Sequence, residues 1–325
     1  MKSFKYTAAT SASGACRMLG ENSLAFAGGT SLLNLMKEYV VQPDVLVDIK
    51  TITGLGSITR EGSGLRIGAN VTLAEILDSD IVRQEYPALH QALYEAGSPQ
   101  IRNRGTLGGN LCARPACWYF SHGNFECAKK GGGGCPAIEG DNEFHAVFDT
   151  DGPCVMVHPS SSAPALLALG ARVGVAGPET SRELPLGEFF TAPVRDVRRE
   201  NILAANEIVT HVTLGPANAR SATYEVRQKA AHDWPICLAS VALDVSFGVC
   251  QRARVFLGAV APVPRRAPGA EAALQGKPVT EAAAEAAGRA AVDGARPLSG
   301  NAYKLAAIRA AVKRAVLLAG TGKWN

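Results

Sequence analysis

No window of this 325-residue sequence approaches 18 consecutive apolar residues, which excludes a membrane-spanning helix. The opening residues, MKSFKYTAATSASG, lack the apolar stretch of a secretory signal. The expectation is a cytoplasmic protein, with a periplasmic location open only to a subunit exported folded beside a signal-bearing partner. Aromatic residues are scarce at 6% and the net charge is only +4. No Lys/Arg stripe with interleaved aromatics exists, so no nucleic-acid partner is expected. The basic pairs Lys129-Lys130, Arg198-Arg199 and Arg265-Arg266 read as solvated loop positions. Also missing are a GxGxxG dinucleotide fingerprint, a CxxC knuckle, an HxxxH pair, a Ser-His-Asp arrangement and paired carboxylates at catalytic spacing. No residue in the chain is assigned a catalytic role.

What is present is apolar material enough for real cores, 47% of the residues, over a length that suggests two or three domains. Ser11 reads as the N-cap of a helix that buries Ala12, Ala15, Cys16 and Leu19 on one face. A strand at Leu24–Ala27 runs into Gly28-Gly29-Thr30-Ser31 and then into a helix with Leu32, Leu33, Leu35 and Met36. Further strands are predicted at Val45–Ile49, in a hairpin between Leu55 and Val71, and at Ile208–Leu214. Thr72 and Pro87 open helices, and residues 163–176 read as a helix leading into a strand. After Gly215-Pro216 the texture changes to strands at about 222–229, 237–247 and 253–259. An alanine-rich helical stretch over 269–293 and an amphipathic helix from Asn301 to Leu318 follow. Strands followed by helices mark a separate α+β unit, with domains at 1–217 and 218–325.

Two Gly/Thr segments carry the first chemical signal, AGGTSLL (Ala27–Leu33) and Gly105-Thr106-Leu107-Gly108-Gly109-Asn110. Each alone is an ordinary turn. Together they point to a long, extended cofactor approached closely by backbone, with Arg102 and Arg104 placed to offset phosphate charge. The second signal is cysteine. Five of the eight cysteines fall between residues 112 and 154, in the spacing Cys112-x4-Cys117-x9-Cys127-x7-Cys135-x18-Cys154. The segment holds a four-glycine run, Gly131–Gly134, and little apolar content to fix it. Ligation of a metal by four thiolates would close such a loop, and zinc or an iron–sulfur cluster both suit the donors. Disulfides become serious only for an exported protein. His122, His145 and His158 read as surface or structural residues.

The motifs AGGTSLLNLMK, VLVDI, LRIGANVTLAEI and above all IRNRGTLGGNL resemble the FAD-binding medium subunit of the xanthine dehydrogenase-type molybdenum hydroxylases. The resemblance runs through VRQKAAHDWP and the final helix, which look like a carbon monoxide dehydrogenase flavoprotein C-terminal domain. It implies an α+β fold: a two-part FAD-binding domain of the vanillyl-alcohol-oxidase/PCMH type, then a smaller C-terminal domain. The cysteine loop, about 112–155, resembles that of a smaller branch that includes the periplasmic aldehyde oxidoreductase flavin subunit and the 4-hydroxybenzoyl-CoA reductase beta subunit.

In that branch the loop holds a [4Fe-4S] cluster, and the resemblance implies Cys117, Cys127, Cys135 and Cys154 as ligands, with Cys112 left as a small packing residue. For FAD it implies Ala27, Gly28, Gly29, Thr30, Ser31 and Leu32, with the strand Leu24, Ala25 and Phe26 leading into them. Arg102, Thr106, Gly109 and Asn110 belong to the second segment, and Arg227 and Lys229 match a basic pair of the C-terminal domain. Ser161 stands near the position where relatives carry an Asp for the flavin ribose, and keeps a hydroxyl without the charge. The implied partners are a large subunit with a molybdenum cofactor, a small [2Fe-2S] subunit and an external electron acceptor. The implied role is electron transfer during oxidation of an aldehyde or an aromatic or N-heterocyclic substrate. Reversed flow, as in the CoA reductases, and a zinc-braced scaffold without redox function are the competing readings.

Overall fold

The computed structural model describes residues 1–229 and 232–321. Ala230 and Ala231, inside the VRQKAAHDWP motif, and residues 322–325 lie outside the described residues. Three sheets organise the chain. The first is parallel and is built from β1 (Lys5–Ala8), β2 (Ser23–Phe26) and β3 (Val45–Asp48) in the order β1-β3-β2. Its crossovers are the helices Ala12–Met18 and Leu32–Lys37. Ser11 caps the first through its side chain, and Cys16 is fully buried with its thiol donating to the Ala176 carbonyl at 3.2 Å. It is the core residue that helical spacing predicts.

The second sheet is antiparallel: β4 (Ile58–Glu61), β5 (Gly64–Gly68), β6 (Arg172–Ala176), β7 (Ser181–Pro185) and β8 (Ile208–Leu214), in the order β4-β5-β8-β6-β7. In its register Leu65 stands opposite Leu214, and Ile67 and Val173 both stand opposite Val212. These fully or nearly buried side chains meet Leu73, Ile76, Leu89, Leu93 and Leu107 from the helices that cover the sheet. Those helices start where the sequence says they start. Thr72 and Glu75 form a reciprocal capping box, and Pro87 occupies the first turn of Pro87–Glu95, where its missing N–H costs nothing.

The third sheet comprises β9 (Arg220–Arg227), β10 (Pro235–Ser246), β11 (Val249–Gly258) and β12 (Arg265–Arg266), ordered β12-β11-β10-β9 and antiparallel throughout. The helix Lys304–Thr321 lays Ile308, Ala311, Val312, Ala315 and Val316 into the core of this unit. Another contact joins β9 and β10 to the helix Pro87–Glu95. There the Thr223 N–H donates to Gln91 Oε1 at 2.7 Å and its hydroxyl to the Ala88 carbonyl at 2.9 Å. On the same helix Ala88 and Ala92 pack against Ala165 of the helix Ser162–Ala168. Among the described residues no helix is long and apolar enough to cross a membrane.

The cysteine segment is better held than its composition suggests. Val147 and Phe148 are fully buried in the core of the third sheet. The buried Lys304 ammonium donates to the carbonyls of Phe144 (2.8 Å), His145 (3.0 Å) and Ala259 (2.9 Å). Asn301 Nδ2 donates to the carbonyls of Asn142, His145 and Ala146. Two polar side chains at the start of the last helix thus satisfy a non-repetitive backbone that hydrophobic content alone does not fix.

Candidate functional site

A cavity of about 350 Å³ opens between the parallel and the five-stranded sheets. The sequence builds its walls in a simple order. β2 contributes Leu24 and Ala25, the turn after it contributes Ala27 to Ser31, and the next helix contributes Leu32 and Leu35. Thr106, Gly108 and Gly109 come from the second Gly/Thr segment, and Ile208 and Val209 from β8. The two glycine segments touch each other. A Cβ on Gly28 would stand 1.9 Å from the Arg104 carbonyl oxygen, so only glycine fits there. Gly29 takes φ +73°, the left-handed region, with the Phe26 ring beneath it. Among the described residues, none of the N–H groups of Gly28, Gly29, Thr30 and Ser31 donates to a backbone carbonyl. They are free donors at the cavity wall, suited to phosphate oxygens.

Gly105–Asn110 is not simply a loop. Residues Leu107–Leu111 form a short helix whose N-cap, Thr106, accepts from Gly109 N at 3.2 Å. Gly108 packs on Ala69, where a Cβ would come within 2.8 Å. Asn110 lies beside this turn, and its Oδ1 accepts from both the Ser160 hydroxyl (2.7 Å) and the Ser162 hydroxyl (2.6 Å). It thereby fastens the HPSSS segment to the second glycine segment. Ser161, buried, sits between those two serines. Phe26 lies below the turn rather than in the cavity wall, with the Lys50 ammonium 4.3 Å from its ring centre. Arg102 donates to the carbonyls of Ala96 and Gly97 at the end of the helix Pro87–Glu95. Arg227 pairs with Glu95 at the same helix end, and Lys229 is exposed. These six residues do not line the cavity, whereas Leu24, Ala25, Ala27 to Leu32, Thr106 and Gly109 do.

Several wall residues escaped sequence reasoning, among them Asn70, Cys112, Arg114 and Glu207. Asn70 matters most. It is buried, its amide donates to the Ile49 carbonyl at 2.5 Å, and its Oδ1 is a buried acceptor without a partner. A buried, unpaired carbonyl oxygen in a cavity wall costs on the order of 1–3 kcal/mol until something donates to it. The sequence signal was available in LRIGANVTL, where an Asn follows a strand that otherwise buries apolar residues.

Beside this cavity Cys117, Cys127, Cys135 and Cys154 line a second, much smaller one of about 10 Å³, with Phe120, Lys129 and Met156. All four are unbridged, as are the other four cysteines. The Cys135 and Cys154 thiols share a hydrogen bond, which holds Cys135 well below the usual thiol range and pushes Cys154 up. Burial pushes Cys117 up to about 11. Cys117 Sγ also lies 3.2 Å from His145 Nε2, and burial, followed by the charge of Lys304, lowers that imidazole to about 4. Among the described residues no three His, Cys, Asp or Glu side chains stand in ready metal-binding geometry. Cys112 is outside this group. It packs against the core of the second sheet and borders the larger cavity.

Comparison with known proteins agrees with this architecture. Residues 2–216 match the model of the FAD binding domain in molybdopterin dehydrogenase, and residues 222–319 match the CO dehydrogenase flavoprotein C-terminal domain. The chain is 36% identical to the aldehyde oxidoreductase FAD-binding subunit PaoB of Escherichia coli over 84% of its own length and 86% of that protein's. It is 30% identical to the carbon monoxide dehydrogenase medium chain of Hydrogenophaga pseudoflava over 96% of both. A chain of the solved carbon monoxide dehydrogenase from that organism, in a form lacking the Mo-pyranopterin moiety, superposes with a TM-score of 0.77 at 29% identity, covering 98% of this chain and 97% of that one. The chain belongs to the FAD-binding medium subunits of the molybdopterin dehydrogenase family, and it is an oxidoreductase subunit.

Proposed function

We propose that this chain is the FAD- and [4Fe-4S]-carrying electron-transfer subunit of a three-subunit molybdenum hydroxylase. Its partners in this reading are a large subunit with the molybdenum cofactor and a small [2Fe-2S] subunit. The observation that carries the cluster is the convergence of four cysteines, spread over 38 positions of sequence from Cys117 to Cys154, on one cavity. Four thiols around one gap have the donor chemistry of a thiolate-ligated iron–sulfur centre, and Cys117, Cys127, Cys135 and Cys154 would hold it. FAD fits the larger cavity: the free N–H groups of Gly28 to Ser31 suit its pyrophosphate, and the orphaned Asn70 oxygen suits a donor on its polar rings or sugars. Ala27, Leu32, Thr106 and Gly109 complete that contact in this reading, and Asn110 and Ser161 hold the second wall.

When bound, FAD exchanges electrons singly or in pairs, which suits a junction between one-electron centres and an acceptor. The protein's share is to bind, orient and tune. The apolar side chains of Leu35, Val41, Ile49 and Val209 keep water from the cavity floor. Arg102 and Arg227 are spent on the end of the helix Pro87–Glu95, so their part is to fix the wall that carries the second glycine segment. Aldehyde oxidation is the favoured substrate chemistry, on the strength of the 36% identity to the FAD-binding subunit of an aldehyde oxidoreductase.

The test is affinity purification of the native complex through this chain, followed by aromatic aldehyde under anaerobic conditions. Bleaching of a flavin and iron–sulfur spectrum upholds the reading. A flavin spectrum that bleaches with an N-heterocycle and not with any aldehyde replaces the substrate. Zinc in the complex, with no iron or acid-labile sulfide beyond that of the [2Fe-2S] subunit, overturns the cluster.

A further inference from the structure

The two cavities lie side by side, and one carboxylate bridges their facing walls by pairing with a cation from each. Leu35 and Arg114 line the larger cavity, and Phe120 and Lys129 line the cysteine cavity. Leu35, Phe120 and Cys127 pack together, and the Arg114 guanidinium lies over the Phe120 ring at 4.6 Å. Between Arg114 and Lys129 sits Glu200. Its side chain is 6% exposed, with one oxygen 3.2 Å from Arg114 Nε and the other 2.8 Å from Lys129 Nζ, whose own side chain is 1% exposed. The geometry is held from outside: Arg114 also donates to the Arg198 carbonyl at 3.0 Å, and Lys129 to the Arg199 carbonyl at 3.3 Å. The backbone of Glu200 is pinned as well, its carbonyl accepting from Thr191 N at 2.9 Å.

One negative charge is thus shared by two cations, each belonging to a different cavity. In a water-poor interior such a charge is poorly screened and reaches several ångströms beyond its contacts. Its reach is visible at the larger cavity. Burial first, and the charge of Glu200 second, push the Cys112 thiol in that wall up to about 12.

We propose that Glu200 sets the reduction potentials of both redox centres, because its single charge is paired with a wall residue of the flavin cavity, Arg114, and with one of the cysteine cavity, Lys129. For the cysteine centre this rests on the reading given under Proposed function. Reduction adds negative charge to either centre, so a carboxylate bridging the two walls lowers both potentials. Glu200→Gln keeps the shape and removes the charge, leaving Arg114 and Lys129 without their counter-ion. In the purified complex, spectroelectrochemical titration of that variant is expected to show both midpoint potentials shifted upward.

Lys129→Gln removes the cation of the cysteine cavity alone and leaves Glu200 paired with Arg114. It is expected to shift the cluster potential downward and the flavin potential less. Glu200→Asp, which keeps the charge, is expected to restore both values towards wild type. Unmoved potentials in a folded Glu200→Gln complex, with only the melting temperature lowered, overturn the proposal in favour of a purely structural ion pair. A shift at one centre alone also overturns it. Should Glu200→Gln fail to fold, an unmoved cluster potential in Lys129→Gln overturns it by the same reasoning. Absence of iron and sulfide in the wild-type complex is a different result: it removes the cluster, and the flavin titration still reads whether Glu200 acts on that cavity.

Discussion

Gly28 is the residue on which the cofactor cavity turns. Its Cα faces the Arg104 carbonyl so closely that a methyl group there would overlap the oxygen at 1.9 Å, and backbone cannot yield as a flexible side chain does. Gly28→Ala is therefore expected to part the two glycine segments and to weaken flavin retention by at least about tenfold, or about 1.4 kcal/mol. The check is the flavin-to-protein ratio after gel filtration, with Gly56→Ala as control, since Gly56 has nothing within 4 Å and no left-handed backbone. A second residue makes the stability of the chain depend on pH. His158 is buried, accepts from Ser160 N at 3.3 Å through Nδ1, and packs edge-on to Phe190 at 4.7 Å. Burial, and then the charge of Lys129, lower it to about 3. The unfolded chain takes up a proton at its ordinary pKa of about 6.5, which the folded chain refuses. Stability contributed by the neutral imidazole is thus full above about pH 6.5 and is lost as pH falls towards about 3. The loss from this group is about 2 kcal/mol between about pH 7 and about pH 5. Urea unfolding at the two pH values measures it, and His158→Gln is expected to flatten the difference.

At the scale of elements, the start of the last helix does a second job. Lys304 is fully buried, and its ammonium donates to the backbone carbonyls of Phe144, His145 and Ala259. Lys304→Met keeps the apolar stem, takes the ammonium donor from the Phe144 and Ala259 carbonyls and leaves His145 with Asn301 alone, at a cost on the order of 3 kcal/mol. Hydrogen exchange is expected to rise across residues 142–148 while the helix Pro87–Glu95 stays protected. Equal loosening of both would contradict a local anchor. None of this was legible in the sequence, because a lysine in an amphipathic helix reads as a solvated position until its long-range acceptors are known. The elements themselves were more legible. Ile208–Leu214 matches its strand residue for residue, and Ser11, Thr72 and Pro87 open helices as their side chains dictate. β7 left no trace because it is an exposed edge strand with no buried alternation, and β12 is only two residues long. The alanine-rich stretch 269–293 reads as helix-forming, and it forms two helices, Pro268–Leu274 and Glu281–Ala290, parted by Gly276 at φ +72° and by Pro278.

On the scale of the whole molecule, the first two sheets form a cavity between them and the third clamps the segment that fills the space beside it. The glycine segments were readable because close backbone approach needs glycine wherever it occurs. Asn70 left one signal, a lone Asn after an apolar strand, but Glu200 was not readable as a site residue, since it acquires its meaning only from Arg114 and Lys129 in other parts of the chain. The same holds for the cysteines. Their spacing gathered five thiols in one segment and the family resemblance implied four of them as ligands; the fold brings those four to one cavity while sending Cys112 to the wall of the other. The claim that one chain carries two redox centres side by side is tested most directly by quantifying flavin, iron and acid-labile sulfide in the purified complex, in wild type and in Cys127→Ser. After subtraction of the iron and sulfide bound by the partner subunit, measured on that subunit alone, the account predicts about four iron and about four sulfide per flavin. Cys127→Ser is predicted to lose that iron and keep its flavin. A wild-type chain with full flavin and no iron beyond the partner's, or iron content indifferent to Cys127, would contradict it.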